Sequence, residues 1–308
     1  MSLTLKQHLD NACNSVRSEI ETGKVADYIP ALAAIDGNKL GAAIVTIDGE
    51  VARYGDALEP FSIQSISKVH SLAFALNNVG GELWKRISYE PSGNAFNSIV
   101  QLEIEKGIPR NPFINAGAIA VCDLLLRGHT AESCIANLLG NIQLLSQDTS
   151  IQIDTNVAQS ELDCSYRNRS LANFMKSYKN IDHAVDDILE AYCYQCAISM
   201  NCEQIARSFL YLANEGIDPA SGKQIVSDLR ARRINSVMMM CGHYDASGEF
   251  AFRVGLPGKS GVGGGIVTIV PKVGVVAVWS PRLNEKGNSH TGMEALEAIM
   301  QSTGWNIL

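Results

Sequence analysis

The chain has 308 residues, 46% of them apolar and 19% charged, with a formal net charge of −7. That composition belongs to a globular protein rather than a disordered one, and the acidic balance leaves no basic footprint for nucleic acid or an anionic membrane. No apolar run approaches the roughly 20 residues needed to span a bilayer.

The N-terminal MSLTLKQHLD carries early charges and lacks the basic-then-apolar form of a secretion signal, so a cytoplasmic location is expected. Residues 4–20 place Leu5, Leu9, Cys13, Val16 and Ile20 on one stripe, which predicts a helix. LGAAIVTIDGEVARYG follows as a β-hairpin, its two apolar runs joined by Asp48-Gly49, a pair suited to positive φ at both positions. Residues 66–78 predict an apolar helix, and the stretch from about 90 to 240 is nearly all helical in pattern. It includes AGAIAVCDLLL, AESCIANLLG, RSLANFMKSY and ILEAYCYQCAISM, and CEQIARSFLYLANEG closes on a glycine stop. Strand patterns then return. EFAFRVGL alternates Phe250, Phe252, Val254 and Leu256, and GGIVTIVP and VGVVAVWSP are separated by Pro271-Lys272. A helix over 289–302 ends the chain.

Two early strands and three late ones, the late ones without long crossovers, predict one antiparallel five-stranded sheet. The expected architecture is an α+β fold in one domain spanning 1–308, with helices covering the sheet. The sheet lobe would take in about 1–64 and 245–308, and an all-helical lobe about 65–244. A small ligand would bind in the cleft between the lobes. The eight cysteines, Cys13, Cys122, Cys134, Cys164, Cys193, Cys196, Cys202 and Cys241, mostly lie in apolar helical stretches and are expected to be reduced core thiols. Cys193 and Cys196 form a CxxC, but with no second pair and no neighbouring histidine a buried helix explains them better than a metal or redox site.

Ser65-Ile66-Ser67-Lys68 is an SxxK at the start of the first central helix. Positions i and i+3 share a helix face, so the lysine amine can reach the serine hydroxyl. A helix N-terminus also supplies free N–H groups and a positive dipole end, which suit a developing oxyanion. The plainer alternative is a capping serine and a surface lysine. Lys259-Ser260-Gly261, a K-[ST]-G triplet far downstream, strengthens the chemical reading, because SxxK and K-T-G face each other across one cleft in proteins of the β-lactamase and penicillin-binding type. The run Gly261-Val262-Gly263-Gly264-Gly265 is either a flexible turn or a place where backbone N–H groups approach a ligand. The middle S-D-N motif of that superfamily is missing, which argues against β-lactamase activity.

Longer strings then point to one family. KVADYIP, FSIQSISK, NPFINAGA, GEFAFRVGLPGKSGVGGG and WSPRLNEKGNS occur in order from Lys24 to Ser289, and together they resemble the serine-dependent glutaminases. The resemblance implies a β-lactamase-like fold, hydrolysis of L-glutamine to L-glutamate and ammonia, no metal or organic cofactor, and a homo-oligomer, often a tetramer. It further implies Ser65 as the acylated serine, Lys68 as its activating partner, and the Val262 N–H in the oxyanion hole. Tyr28, Asn115, Glu161, Asn168, Tyr192 and Tyr244 correspond to substrate-site residues, and Lys259 to the lysine of the triplet.

The chemistry of those residue types is coherent. A carboxylate such as Glu161 suits the substrate's α-ammonium, and the neutral donors Asn115, Asn168, Tyr28 and Tyr192 suit its α-carboxylate. Either Lys68 or Tyr244 can serve as the base for Ser65. Taken singly, each residue has a structural alternative: a tyrosine packed in the core, Glu161 on a solvated helix face, Asn115 as a helix cap. The six histidines show no metal-like clustering; His243 adjoins Tyr244 and could reach the rim, but it is not counted among the site residues. Two rival functions remain open, a penicillin-recognising peptidase or esterase on the same scaffold and a non-catalytic amino-acid sensor.

Overall fold

The computed structural model describes residues 3–307. Helix α1 (Leu5–Ser15) opens on a reciprocal cap between Thr4 and Gln7. Strands β1 (Gly41–Thr46) and β2 (Val51–Gly55) form the early hairpin. Its connection differs from the two-residue turn expected. Gly49 donates to the Thr46 carbonyl and Thr46 to that of Glu50, and only Gly49 takes positive φ, at +90°. Asp48 is thus an ordinary turn residue and Gly49 alone absorbs the left-handed step.

Helices then dominate: α2 (Ser67–Val79), α3 (Asn115–Leu125), α4 (Ala131–Ser146), α5 (Thr155–Asp163), α6 (Tyr166–Ser177), α7 (Val185–Cys196), α8 (Cys202–Ser208) and α9 (Asp228–Cys241). The helix expected through ILEAYCYQCAISM stops at Cys196. Ile198–Met200 instead pairs with Phe61–Ser62 and with Gln152–Ile153, so the helical lobe also carries a small three-stranded sheet. That sheet ties the segment before Ser65 to the end of α7.

The segment EFAFRVGL is a helix, α10 (Ser247–Val254), not a strand. Phe250 and Val254, four residues apart, are 0% and 1% exposed, whereas Phe252 is 91% exposed. The burial period is that of a helix; alternation matched the sequence only because Phe252 is apolar and faces solvent. Arg253 anchors the helix to Glu294 and Glu297. Phe250→Ala is expected to cost about 3–5 kcal/mol and Phe252→Ala under about 0.5 kcal/mol, read from urea unfolding midpoints. A strand would have made the two comparable.

The fifth strand is β3 (Gly258–Ser260), followed by β4 (Gly265–Val270), β5 (Gly274–Trp279) and helix α11 (His290–Thr303). The sheet is antiparallel throughout, in the order β2-β1-β5-β4-β3. Ala42, Ile44, Ile266, Val276 and Val278 face a layer with Leu9, Phe250, Leu296 and Ile299, drawn from α1, α10 and α11. Ala43, Val45, Val267, Ile269, Val275 and Ala277 face the helical lobe. Both faces are covered, so the central strands are apolar at nearly every position instead of alternating. Among the described residues no helix is long and apolar enough to cross a membrane.

Candidate active site

The segment Phe61–Lys68 passes between the sheet and the helical lobe, and the geometry of the site starts there. Ser65 lies in a single 3-10 turn, Gln64–Ile66, that runs directly into α2. The helix N-cap is Ile66 and makes no side-chain cap, so Ser65 is not a capping serine. Among the described residues neither the Ser65 N–H nor the Val262 N–H has a backbone acceptor. Lys68 is 1% exposed, which removes the surface-lysine alternative. Its Nζ donates to the Phe113 carbonyl at 3.2 Å and to Asn115 Oδ1 at 2.8 Å.

Helix α3 supplies Asn115 from its first residue. The cap position is Ile114, so Asn115 is not spent on capping. Its amide nitrogen donates to Asn168 Oδ1 at 2.9 Å, which makes a chain from Lys68 through Asn115 to α6. Glu161 sits on α5, which is fixed by the Asp154 carboxylate accepting from the N–H groups of Asn156 and Val157. Its carboxylate is buried rather than solvated, and Oε2 has no hydrogen-bond partner. Tyr192 projects from α7, and its ring lies 5.7 Å from Lys68 Nζ.

These side chains meet in one cleft of about 380 Å³, lined by Tyr28, Ser65, Asn115, Glu161, Asn168, Tyr192 and Val262 among others. Tyr28 forms the rim. Its residue surface is 53% exposed, yet its hydroxyl end is shielded beside Tyr244 and Glu161, which pushes its acidity well down. Tyr244 is not among the residues lining the cleft and is buried beside Ser65. Its hydroxyl donates to the Ser260 carbonyl at 3.4 Å, and burial raises its pKa above the ordinary tyrosine value. Phe96 packs on its ring at a centroid distance of 4.8 Å.

Electrostatics follow from burial. Desolvation lowers the Lys68 pKa to about 8, only partly opposed by nearby groups that include Glu161. Desolvation raises the Glu161 pKa to about 7, against the pull of Lys68 and of the neighbouring Gln64 and Cys196 side chains. Lys259 is 0% exposed and does not enter the cleft. Its Nζ donates to the Gly242 carbonyl at 2.9 Å and to the Ser260 carbonyl, 4.3 Å from the centre of the Tyr244 ring. His243 is not at the rim. It is fully buried against Phe250, with ring centres 3.6 Å apart, and burial keeps it neutral.

The glycine run is a close approach of two backbones. A Cβ on Gly261 would lie 2.5 Å from the Ile63 carbonyl oxygen and 3.3 Å from Ser65 N, and one on Gly263 would lie 2.3 Å from the Ser62 carbonyl oxygen. Trp279 pins the run by donating to the Gly263 carbonyl at 3.0 Å while stacking on Phe61. Gly261→Ala should therefore displace the Val262 N–H from Ser65 and lower kcat by roughly 10²-fold with little change in KM, as steady-state kinetics would show.

Sequence reasoning missed Gln64, Phe96, Asn97, Cys164, Ser165 and Arg167, which also line the cleft. Gln64 stood inside a quoted motif, FSIQSISK. Phe96 and Asn97 lie in an irregular stretch with no periodic signal and reach the site because the Asn115 N–H donates to the Phe96 carbonyl at 2.8 Å. The CxxC is also placed. Both thiols are buried, and Cys196 lies beside Glu161 and Tyr192. Among the described residues no three of His, Cys, Asp and Glu gather as a metal-binding group.

Residues 23–308 match the family model described as Glutaminase. A curated glutaminase of Rhizobium etli (strain CIAT 652) is 56% identical over 303 residues, covering 98% of each chain. A solved structure described as probable glutaminase ybaS superposes with a TM-score of 0.94 at 37% identity, covering 99% of this chain and 98% of that one. The probable glutaminase from Bacillus subtilis complexed with 6-diazo-5-oxo-L-norleucine gives a TM-score of 0.90 at 31% identity, over 100% and 98% of the two chains.

Proposed function

We propose that this chain, which belongs to the glutaminase family and hydrolyses L-glutamine to L-glutamate and ammonia, does so through a glutamyl ester on Ser65. One observation carries the reading. Ser65, Val262 and Glu161 line one cleft, and among the described residues the Ser65 and Val262 N–H groups have no backbone acceptor and Glu161 Oε2 has no hydrogen-bond partner. Glu161 pairs with the α-ammonium, and Asn115, Asn168, Tyr28 and Tyr192 receive the α-carboxylate.

Ser65 Oγ attacks the amide carbon while its proton passes to neutral Lys68. The Ser65 and Val262 N–H groups hold the oxyanion. Tyr244 stays protonated in its buried setting, lies beside Ser65, and donates its proton to the leaving nitrogen. Lys68 then returns a proton to Tyr244. Ammonia departs, the ester remains, and water cleaves it by the reverse transfers. This division of labour chooses between the two bases that the sequence left open. It rests on the lower proton affinity of Lys68 and the higher one of Tyr244.

Lys259 is a structural residue in this reading, and burial together with the neighbouring Lys68 disfavours its charged form. A homo-oligomer, a tetramer by the resemblance, belongs to the same proposal and is supported by bare apolar side chains such as Phe252 and Leu144. So does a cytoplasmic location, supported by eight cysteines that are all free thiols. The test of the activity and mechanism is ammonia release from L-glutamine, D-glutamine, L-asparagine and a penicillin, with mass spectrometry of the quenched enzyme. Release from L-glutamine with a glutamyl adduct on Ser65 is expected. Acylation by the penicillin without ammonia from glutamine would overturn the reading.

A further inference from the structure

Seven non-glycine residues among those described have a left-handed backbone: Gln64, Lys106, Gln147, Lys179, Glu215, Tyr244 and Lys272. Five lie on exposed turns or helix ends. The other two, Gln64 at φ +49° and Tyr244 at φ +58°, are 2% and 3% exposed. One immediately precedes Ser65 and the other lies beside it. Strain of this kind persists only where the surroundings over-determine it. For Tyr244 the chemistry above supplies a reason. For Gln64 nothing yet does.

The surroundings of Gln64 are specific. Its Nε2 donates to Ser62 Oγ at 2.9 Å, and Ser62 Oγ donates in turn to the Cys196 carbonyl at 2.9 Å. Its own carbonyl accepts from Ser67 Oγ at 2.7 Å. Its side-chain carbons pack where Gly261 and Gly263 lack a Cβ. The amide also lies beside Glu161. Gln64, together with Ser62, thus joins the turn that carries Ser65, the last carbonyl of α7 that carries Tyr192, the glycine run that carries Val262, and the neighbourhood of Glu161.

We propose that Gln64 and Ser62 are positioning residues that lock the left-handed turn and thereby set Ser65 Oγ and N–H against the Val262 N–H. The inference rests on Ser65 as the nucleophile. Without the Gln64–Ser62 bond the turn relaxes toward an ordinary conformation and rotates the next peptide, which carries the Ser65 N–H. Substrate binding through Asn115, Asn168 and Tyr192 is left in place, so the loss falls on kcat.

The test measures kcat, KM and melting temperature for Gln64→Met, Ser62→Ala and the double variant, with Ser65→Ala as control. Both single variants are expected to lower kcat by roughly 10–10²-fold with KM within about threefold of the parent. The double variant should be no slower than the worse single one, because both remove the same bond. The melting temperature should hold, since relaxing the turn relieves strain. Should Ser62→Ala fail to fold, Ser62→Thr, which keeps the hydroxyl, must restore folding and most of kcat. A kcat within about twofold of the parent, losses that multiply, or a rise in KM at constant kcat overturns the proposal, the last by making Gln64 a plain substrate contact. Turnover by Ser65→Ala would instead sink the nucleophile assignment, independently of how the Gln64 variants behave.

Discussion

Replacing Ser65 by alanine is expected to lower kcat by roughly 10⁴-fold or more and to abolish the covalent adduct. The size of the effect follows from what remains. Lys68 keeps its bonds to Phe113 and Asn115, and Tyr244 keeps the Ser260 carbonyl, so the machinery stays assembled but has no nucleophile. Glutamine should still bind, because Glu161, Asn115 and Asn168 do not depend on Ser65. Steady-state ammonia release, intact-protein mass spectrometry and calorimetric titration with L-glutamine separate these expectations. Near-normal turnover in the variant would refute the acyl-enzyme route outright.

Lys68→Met carries the second large expectation, with opposite signs for activity and stability. Loss of the base should lower kcat by roughly 10²–10⁴-fold. The native pKa of Lys68 is pulled from 10.5 to about 8, so burial disfavours its charged form by on the order of 3 kcal/mol. Below about pH 8 the lysine is protonated in both states and that penalty is present in full. Between about 8 and 10.5 the unfolded chain binds more proton than the native one, so this group makes stability rise with pH. The methionine variant should lose that slope in urea titrations and, at pH 7, melt no lower than the parent.

The same two groups shape the activity profile. Glu161 must be charged to pair with the substrate ammonium, and Lys68 must be neutral to accept a proton, so kcat/KM should rise with pH across about 7 to 8. In Glu161→Gln the carboxylate that holds the Lys68 pKa up is gone, so the remaining step should move to lower pH. The binding loss should appear mainly in KM, at roughly 10²-fold or more. A profile unchanged in position would separate Lys68 from the observed titration.

Much of this site was readable as a string. SxxK, the K-S-G triplet and the neighbouring glycines are short-range signals whose spacing reflects local geometry, and the ordered strings between Lys24 and Ser289 identified the family before any contact was known. The hairpin and the two long apolar strands were equally legible, because covered strands leave an uninterrupted apolar run. Where local pattern was ambiguous, tertiary burial decided. Phe250, Phe252 and Val254 fit both a strand and a helix until one face of α10 met the sheet and the other met solvent.

The sequence by itself determined the fold class, the family and half of the residues in the cleft, because those depend on residue type and short spacing. Only the tertiary structure decided their surroundings. It buried Tyr244 beside Ser65, kept Lys259 out of the cleft, and brought in Phe96, Asn97 and Gln64. Proton affinities of about 8 for Lys68 and about 7 for Glu161 arise from desolvation by segments far apart in the chain. Desolvation depends on what surrounds a group from every side, and no local pattern in the sequence encodes that.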